Sequence, residues 1–288
     1  MKKTVLFPAA ALVGGVAAFL LRFLQNRTGF DSLGLPVSGN IPGAALVVLL
    51  ILMAVLLLVL SRKLSSAGRT FPEAFSAENS SQLFMPVAGS LLIALAGLAD
   101  LYEGLTANNL LAQIQSAADP YSSAIPEALV SAGFPSASQL VLGVVSLLTA
   151  AALFLSVLSC RKWAAAQSSA GLFLLVPPVA LVARLVMTYR LDSVNPALEA
   201  YYVEVLALIF LTLAFYRLSS FAFRDGRITR FALYAGLAVV CAAAALADGG
   251  PHLSSLLLYA GGMLTVLGFL LLLLVRPDDF SSDTSFSE

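Results

Sequence analysis

Histidine occurs once in this 288-residue chain, cysteine twice and tryptophan once, and charged residues make up only 11% of it. The lone His252 excludes a bis-histidine haem, and with Cys160 and Cys241 as the two thiols there are too few ligands for a clustered metal site. A disulfide between them is not expected, because Cys160 closes the fourth apolar segment whereas Cys241 lies inside the seventh. No lysine falls within an apolar segment, which removes a Schiff base of the retinal kind, and no Walker sequence offers a phosphate cradle. Serines are plentiful, but no histidine lies inside the segments to activate one, and no aspartate pair there suggests an intramembrane protease. The expectation is a protein without cofactor or metal, and enzyme chemistry is the least favoured class. A formal net charge of zero, with no loop rich enough in basic residues to track a phosphate backbone, sets nucleic acid aside as a partner.

What the chain has in abundance is apolar length. Hydrophobic residues make up 59% of it and its mean hydropathy is +0.93, well beyond an ordinary soluble domain. A helix crosses a hydrocarbon layer roughly 30 Å thick with about 20 apolar residues, all of its backbone groups bonded internally. Segments near this length are expected at Val5–Leu24, Ile41–Leu60, Leu83–Leu101, Gln139–Leu158, Ala170–Tyr189, Ala200–Leu218, Phe231–Ala247 and Ser254–Val275. The first follows Lys2 and Lys3 but leads into Arg22 without a small-x-small cleavage site, so it is read as a retained span and not as a signal peptide. The fold class expected is all-α: a polytopic transmembrane helical bundle of about eight spans, with the lipid bilayer as its first partner.

Lysine and arginine distribute unevenly between alternate loops. With the N-terminus inside, twelve of the sixteen cations fall on the inner side, and Arg22, Arg27 and Arg190 on the outer. This bias orients the chain with both termini cytoplasmic, in the cytoplasmic membrane. Residues 1–276 form a single integral membrane domain, and the acidic, serine-rich tail 277–288 is expected to be disordered. Span three runs Ala88-Gly89 to Leu98-Ala99-Asp100 and span seven Ala235-Gly236 to Leu246-Ala247-Asp248, a weak echo consistent with a four-plus-four duplication of about 1–160 and 168–276.

Between the spans, the outer stretch from Tyr102 to Ser138 carries Leu105, Leu110, Leu111 and Ile114 near helical spacing, which reads either as a short amphipathic piece on the outer surface or as a solvated connector. Inside, Thr70-Phe-Pro-Glu73 resembles a capping box opening a short interfacial helix through Phe75, with an anchoring role. Small residues at Gly14, Gly15, Gly89, Gly97, Gly236 and Ala242–Ala245 mark spans one, three and seven as central, whereas span two and the leucine-rich end of span eight suit lipid.

A charge within a span needs a reason, because it costs at least about 2.5–3.5 kcal/mol at the midplane. Arg184 and Glu204 are each ten residues from Val194, the centre of the expected hairpin between spans five and six, so they are predicted to meet at equal depth, with Tyr201 one turn from Glu204. Pro177 and Pro178 remove two backbone donors and are expected to kink span five below Arg184, as in transporters whose bent helices face a water-filled cavity. The alternative is a structural bridge, with the prolines only shaping the bundle. Asp100, Glu103, Asp248 and His252 make a second outer group, readable as ordinary span-end charges. Two functional classes stay open: a small-solute transporter or permease-like subunit, or a membrane sensor or accessory subunit acting through a protein partner, either of which could also assemble as a homo-oligomer.

Overall fold

In the computed structural model, residues 3–30, 37, 39–64, 68–69, 71–77, 79–117, 136–160, 170–192, 198–223, 226–249 and 253–274 are described. Eight long helices dominate them: α1 Lys3–Thr28, α2 Ile41–Ser61, α4 Phe84–Ala117, α5 Ser136–Ser159, α6 Val176–Asp192, α7 Leu198–Ser220, α8 Ile228–Leu246 and α9 Leu253–Leu274. A single turn of helix, α3 Phe71–Phe75, lies between α2 and α4. Seven of the long helices are long and apolar enough to cross a membrane, and the shorter apolar stretch Phe173–Tyr189 ends in α6. The result is an all-α bundle built for lipid, with each of the eight expected segments overlapping a different one of the eight long helices.

Local chemistry sets the ends. At the start of α2 the Asn40 side chain accepts from the Gly43 amide at 3.1 Å, and Pro42 stands in the first turn, where its missing donor costs nothing. Beyond the end of α8 at Leu246 the chain turns through Ala247 and Asp248, and Gly249 takes a left-handed φ of 63°, open to glycine without a Cβ penalty, which keeps the helix from resuming. The outer amphipathic piece expected as a separate element is instead the continuation of α4 to Ala117. Nothing in the sequence stops the helix there, since the next proline is Pro120.

Pro177 and Pro178 do not kink a continuous helix. Ala170–Leu175 is a 3₁₀ segment, and α6 begins only at Val176, so both prolines stand in its first turn. Without their amides, the carbonyls of Phe173 and Leu174 lose α-helical partners, and the tighter winding before the junction is the result. Span five is thus discontinuous where a bend was expected.

Helix α8 sits against α1, α2, α7 and α9, and α9 in turn packs on α4, which packs on α5. Glycines set the closest approaches: a Cβ on Gly89 would lie 2.6 Å from the Gly261 carbonyl oxygen, and one on Gly143 would lie 2.9 Å from that of Gly97. Helix α8 is the most enclosed, as its small residues foretold, and α2 the least. Span eight departs from expectation. Its end is not lipid-facing, because Phe269, Leu270, Leu272, Leu273 and Leu274 are buried.

What covers that end is α3. Phe75 is fully buried, with ring centroids 5.1 Å from Phe221, 5.4 Å from Phe269 and 5.9 Å from Phe231. Phe71 lies 6.2 Å from Phe269. The short helix is therefore a wedge in the bundle, where an anchor lying on the membrane surface was expected. A two-residue antiparallel ladder secures it: β1 Gly68–Arg69 pairs with β2 Gly226–Arg227, and the Ala77 amide donates to the Cys160 carbonyl at 2.9 Å. Thr70, the expected cap, and the tail 277–288 lie outside the described residues.

Candidate functional site

The polar side chains gather at the end of the bundle opposite the phenylalanine wedge. Arg22 and Gln25 come from the last turns of α1, Asp100 from the middle of α4, Arg184 from α6, Glu204 from the start of α7, Asp248 from just beyond α8, and Ser254, Ser255 and Tyr259 from the first turns of α9. They form two ion pairs and one carboxylate–phenol contact.

The first pair joins α1 to α8. Arg22 is buried and donates from Nε to Asp248 Oδ1 and from Nη1 to Gln25 Oε1 at 2.9 Å, and its guanidinium lies 5.5 Å from the centre of the Tyr202 ring. Asn26 Nδ2 adds a bond to Asp248 Oδ1 at 2.9 Å and one to the Ala247 carbonyl at 3.1 Å. Close packing of α1 on α8, with Gly15 facing Ala243 and Val239, brings the two ends together. Burial lifts the Asp248 carboxyl above its ordinary range, while the charge and bond of Arg22 and the bond from Asn26 pull it back down.

The second pair joins α6 to α4. Arg184 Nη1 donates to Asp100 Oδ2 at 2.7 Å, both side chains being buried, and Nη2 reaches Ser254 Oγ at 3.4 Å and Ser255 Oγ at 3.3 Å. Arg184 was expected to meet Glu204. Instead Glu204 Oε1 accepts from the Tyr259 hydroxyl at 2.6 Å. Equal depth on neighbouring helices was the right condition but left the azimuth open, and the face of α6 that carries Arg184 turns toward α4 and α9. Tyr201, expected beside Glu204, is half-buried and makes no hydrogen bond among the described residues; the hydroxyl comes from α9. Arg184 and Asp248 nonetheless both lie close enough to the Tyr259 hydroxyl to act on it electrostatically.

Asp100 and Asp248 were read as span-end charges, yet each is the partner of an arginine from another helix. Glu103, one turn beyond Asp100, is half-buried, and His252 lies outside the described residues. Tyr259, Ser254 and Ser255 were missed altogether. Their signal was present, because Ser255 and Tyr259 stand four residues apart on one face in the first turns of a mostly apolar span, with Ser254 next to them.

A small pocket opens beside Arg184. Leu142, Val145, Ser146 and Thr149 of α5, Ala180 and Leu181 of α6, and Leu258 of α9 form the rest of its lining. As it stands the pocket has room for about one water. Thr149 spends its hydroxyl on the Val145 carbonyl at 2.8 Å, but Ser146, buried, makes no hydrogen bond among the described residues. Arg184 binds through its two terminal nitrogens, and Nε–H likewise has no acceptor there. A buried arginine and a buried serine with an unused hydroxyl therefore line the same pocket. Among the described residues no cluster of histidine, cysteine, aspartate and glutamate could hold a metal ion. No family model, curated protein or solved structure matches the chain.

Proposed function

We propose that the chain is a small-solute transporter or permease-like subunit of the cytoplasmic membrane, with eight spans, both termini inside, and its solute site at the pocket beside Arg184. The observation that carries this reading is the unequal state of the two buried arginines. Arg22 is wrapped by Asp248, Gln25 and the Tyr202 ring, as suits a structural clasp. Arg184 has one ionic partner, two long contacts to serines and a cavity beside it.

Other features support the same reading. The 3₁₀ segment and the proline pair give span five an interrupted backbone two turns from Arg184, the kind of irregularity that membranes tolerate where it borders a cavity. The phenylalanine wedge fills the opposite end, which leaves the polar end as the side from which a solute would enter.

The test is flux. Purified protein reconstituted in liposomes and screened by counterflow with labelled small solutes is expected to carry at least one of them. Arg184→Ala is expected to remove that flux while the protein still elutes as an assembled species. Unchanged flux in the variant would discard the site, and no flux of any solute by the wild type would discard the class.

A further inference from the structure

Resting on the transport reading just given, we infer that the solute is a small monocarboxylate with a short apolar body, and that Asp100 occupies its anchor, Arg184, in the empty protein. Three observations point the same way. The group bound to Arg184 now is itself a carboxylate, at 2.7 Å. The Nε–Nη2 edge of the guanidinium, the edge suited to a side-on bidentate carboxylate, meets only serine hydroxyls at 3.3 and 3.4 Å from Nη2. The pocket that Arg184 helps to line is walled by Leu142, Val145, Ala180, Leu181 and Leu258, with the Ser146 hydroxyl as a further unused donor.

Charge fixes the valence. The lining holds a single cation, which matches one negative charge at a time, the solute's or that of Asp100, whereas a dianion such as phosphate would leave a further charge unmatched against aliphatic side chains. An amine or a sugar has no reason to sit here: the first meets a like charge, and the second meets a mostly apolar wall. Size follows from the space available. The pocket admits about one water as it stands, so a solute must draw the guanidinium away from Asp100 and open the gap between α5 and α6. A body of a few carbons then fits against the leucines.

Asp100 is on this account a competitor for the same positive charge. Its removal should therefore weaken the empty protein and strengthen binding, a combination that a purely structural bridge does not give. The probe is sodium butyrate, read by thermal unfolding of the purified protein in mild detergent. Butyramide, butylamine, chloride and inorganic phosphate serve as controls. Butyrate is expected to raise the wild-type unfolding temperature saturably, and the four controls are not. Asp100→Asn is expected to unfold at lower temperature without additive, to recover in butyrate, and to bind it about tenfold more tightly, because the competent state no longer has to be freed from an internal carboxylate. Ser146→Ala removes a hydroxyl that bonds nothing in the empty protein, so it keeps its stability and loses roughly tenfold in butyrate affinity. An absent butyrate response in both the wild type and Asp100→Asn overturns the inference, as does an equal response to butyramide, phosphate or chloride. Flux of a non-carboxylate solute that depends on Arg184 would sink this assignment and leave transport standing. Butyrate binding with no flux of any solute would do the reverse.

Discussion

An arginine side chain buried in an apolar bundle keeps its charge, so its surroundings must supply the compensation that water gave. Asp248 supplies it for Arg22 under strain of its own, since burial holds its carboxyl above the ordinary range. The sign of the pH dependence follows. A carboxyl whose folded value lies above its unfolded value of about 3.9 binds its proton more tightly in the fold, so its contribution to stability is full below that unfolded value and is lost as pH rises through the folded one. Asp248→Asn lacks this titration. Unfolding temperatures of the two proteins between about pH 4 and pH 7 should show the wild type losing ground to Asp248→Asn as pH rises; parallel curves would contradict the assignment. At this scale the sequence was half legible. That Arg184 needed a partner followed from hydropathy alone, but which carboxylate it took depended on helix rotation. The hydropathy of a span nearly uniform around its circumference carries no azimuthal information, and α6 is such a helix. Arg22 was counted with the outer cations although the expected segment ran to Leu24, and it lies inside α1, which continues to Thr28.

Helices were the most legible elements, because the length of an apolar run and the need to bond every backbone amide leave little freedom. Each of the eight expected segments overlaps one long helix, and the main disagreements fall where a proline, or the lack of one, decided a boundary. The wedge α3 was legible as a helix but not as a buried one. Its five residues, Phe71 to Phe75, form too short a stretch for burial to be read from periodicity, and its partners Phe221, Phe231 and Phe269 come from three distant places in the chain. Phe75 meets all three rings besides Phe71. Phe75→Ala should therefore cost about 3–5 kcal/mol, the range for emptying a phenylalanine site in a packed core. Phe84→Ala, at an exposed ring one element away, should be near neutral. Thermal or denaturant unfolding in mixed micelles separates the two, and equal losses would mean that the wedge does not hold the bundle end.

Across the whole molecule, the eight-span reading with both ends inside makes one plain demand. A cysteine tag at either terminus should escape a membrane-impermeant maleimide in intact cells and react once the cells are opened; labelling of one terminus in intact cells would remove the topology. The native thiols should not interfere. Cys160 and Cys241 are both buried, and burial pushes the Cys160 thiol up to about 12, so it carries almost no reactive thiolate. The positive-inside bias is the ground for proposing this topology, whereas the enclosure of α9 was not legible, because leucines that meet a phenylalanine wedge and leucines that meet lipid are written alike. The Arg22–Asp248 clasp also has a consequence for biosynthesis. Its partners are separated by 226 residues, so a ribosome adding about 5–20 residues each second leaves the arginine of α1 waiting roughly 10 to 45 seconds for its aspartate. Arg184 has no such delay, since Asp100 is made first. A nascent chain stalled before α8 thus lacks the carboxylate that the finished fold sets against Arg22, a ready mark by which a quality-control protease could tell an unfinished copy from a finished one.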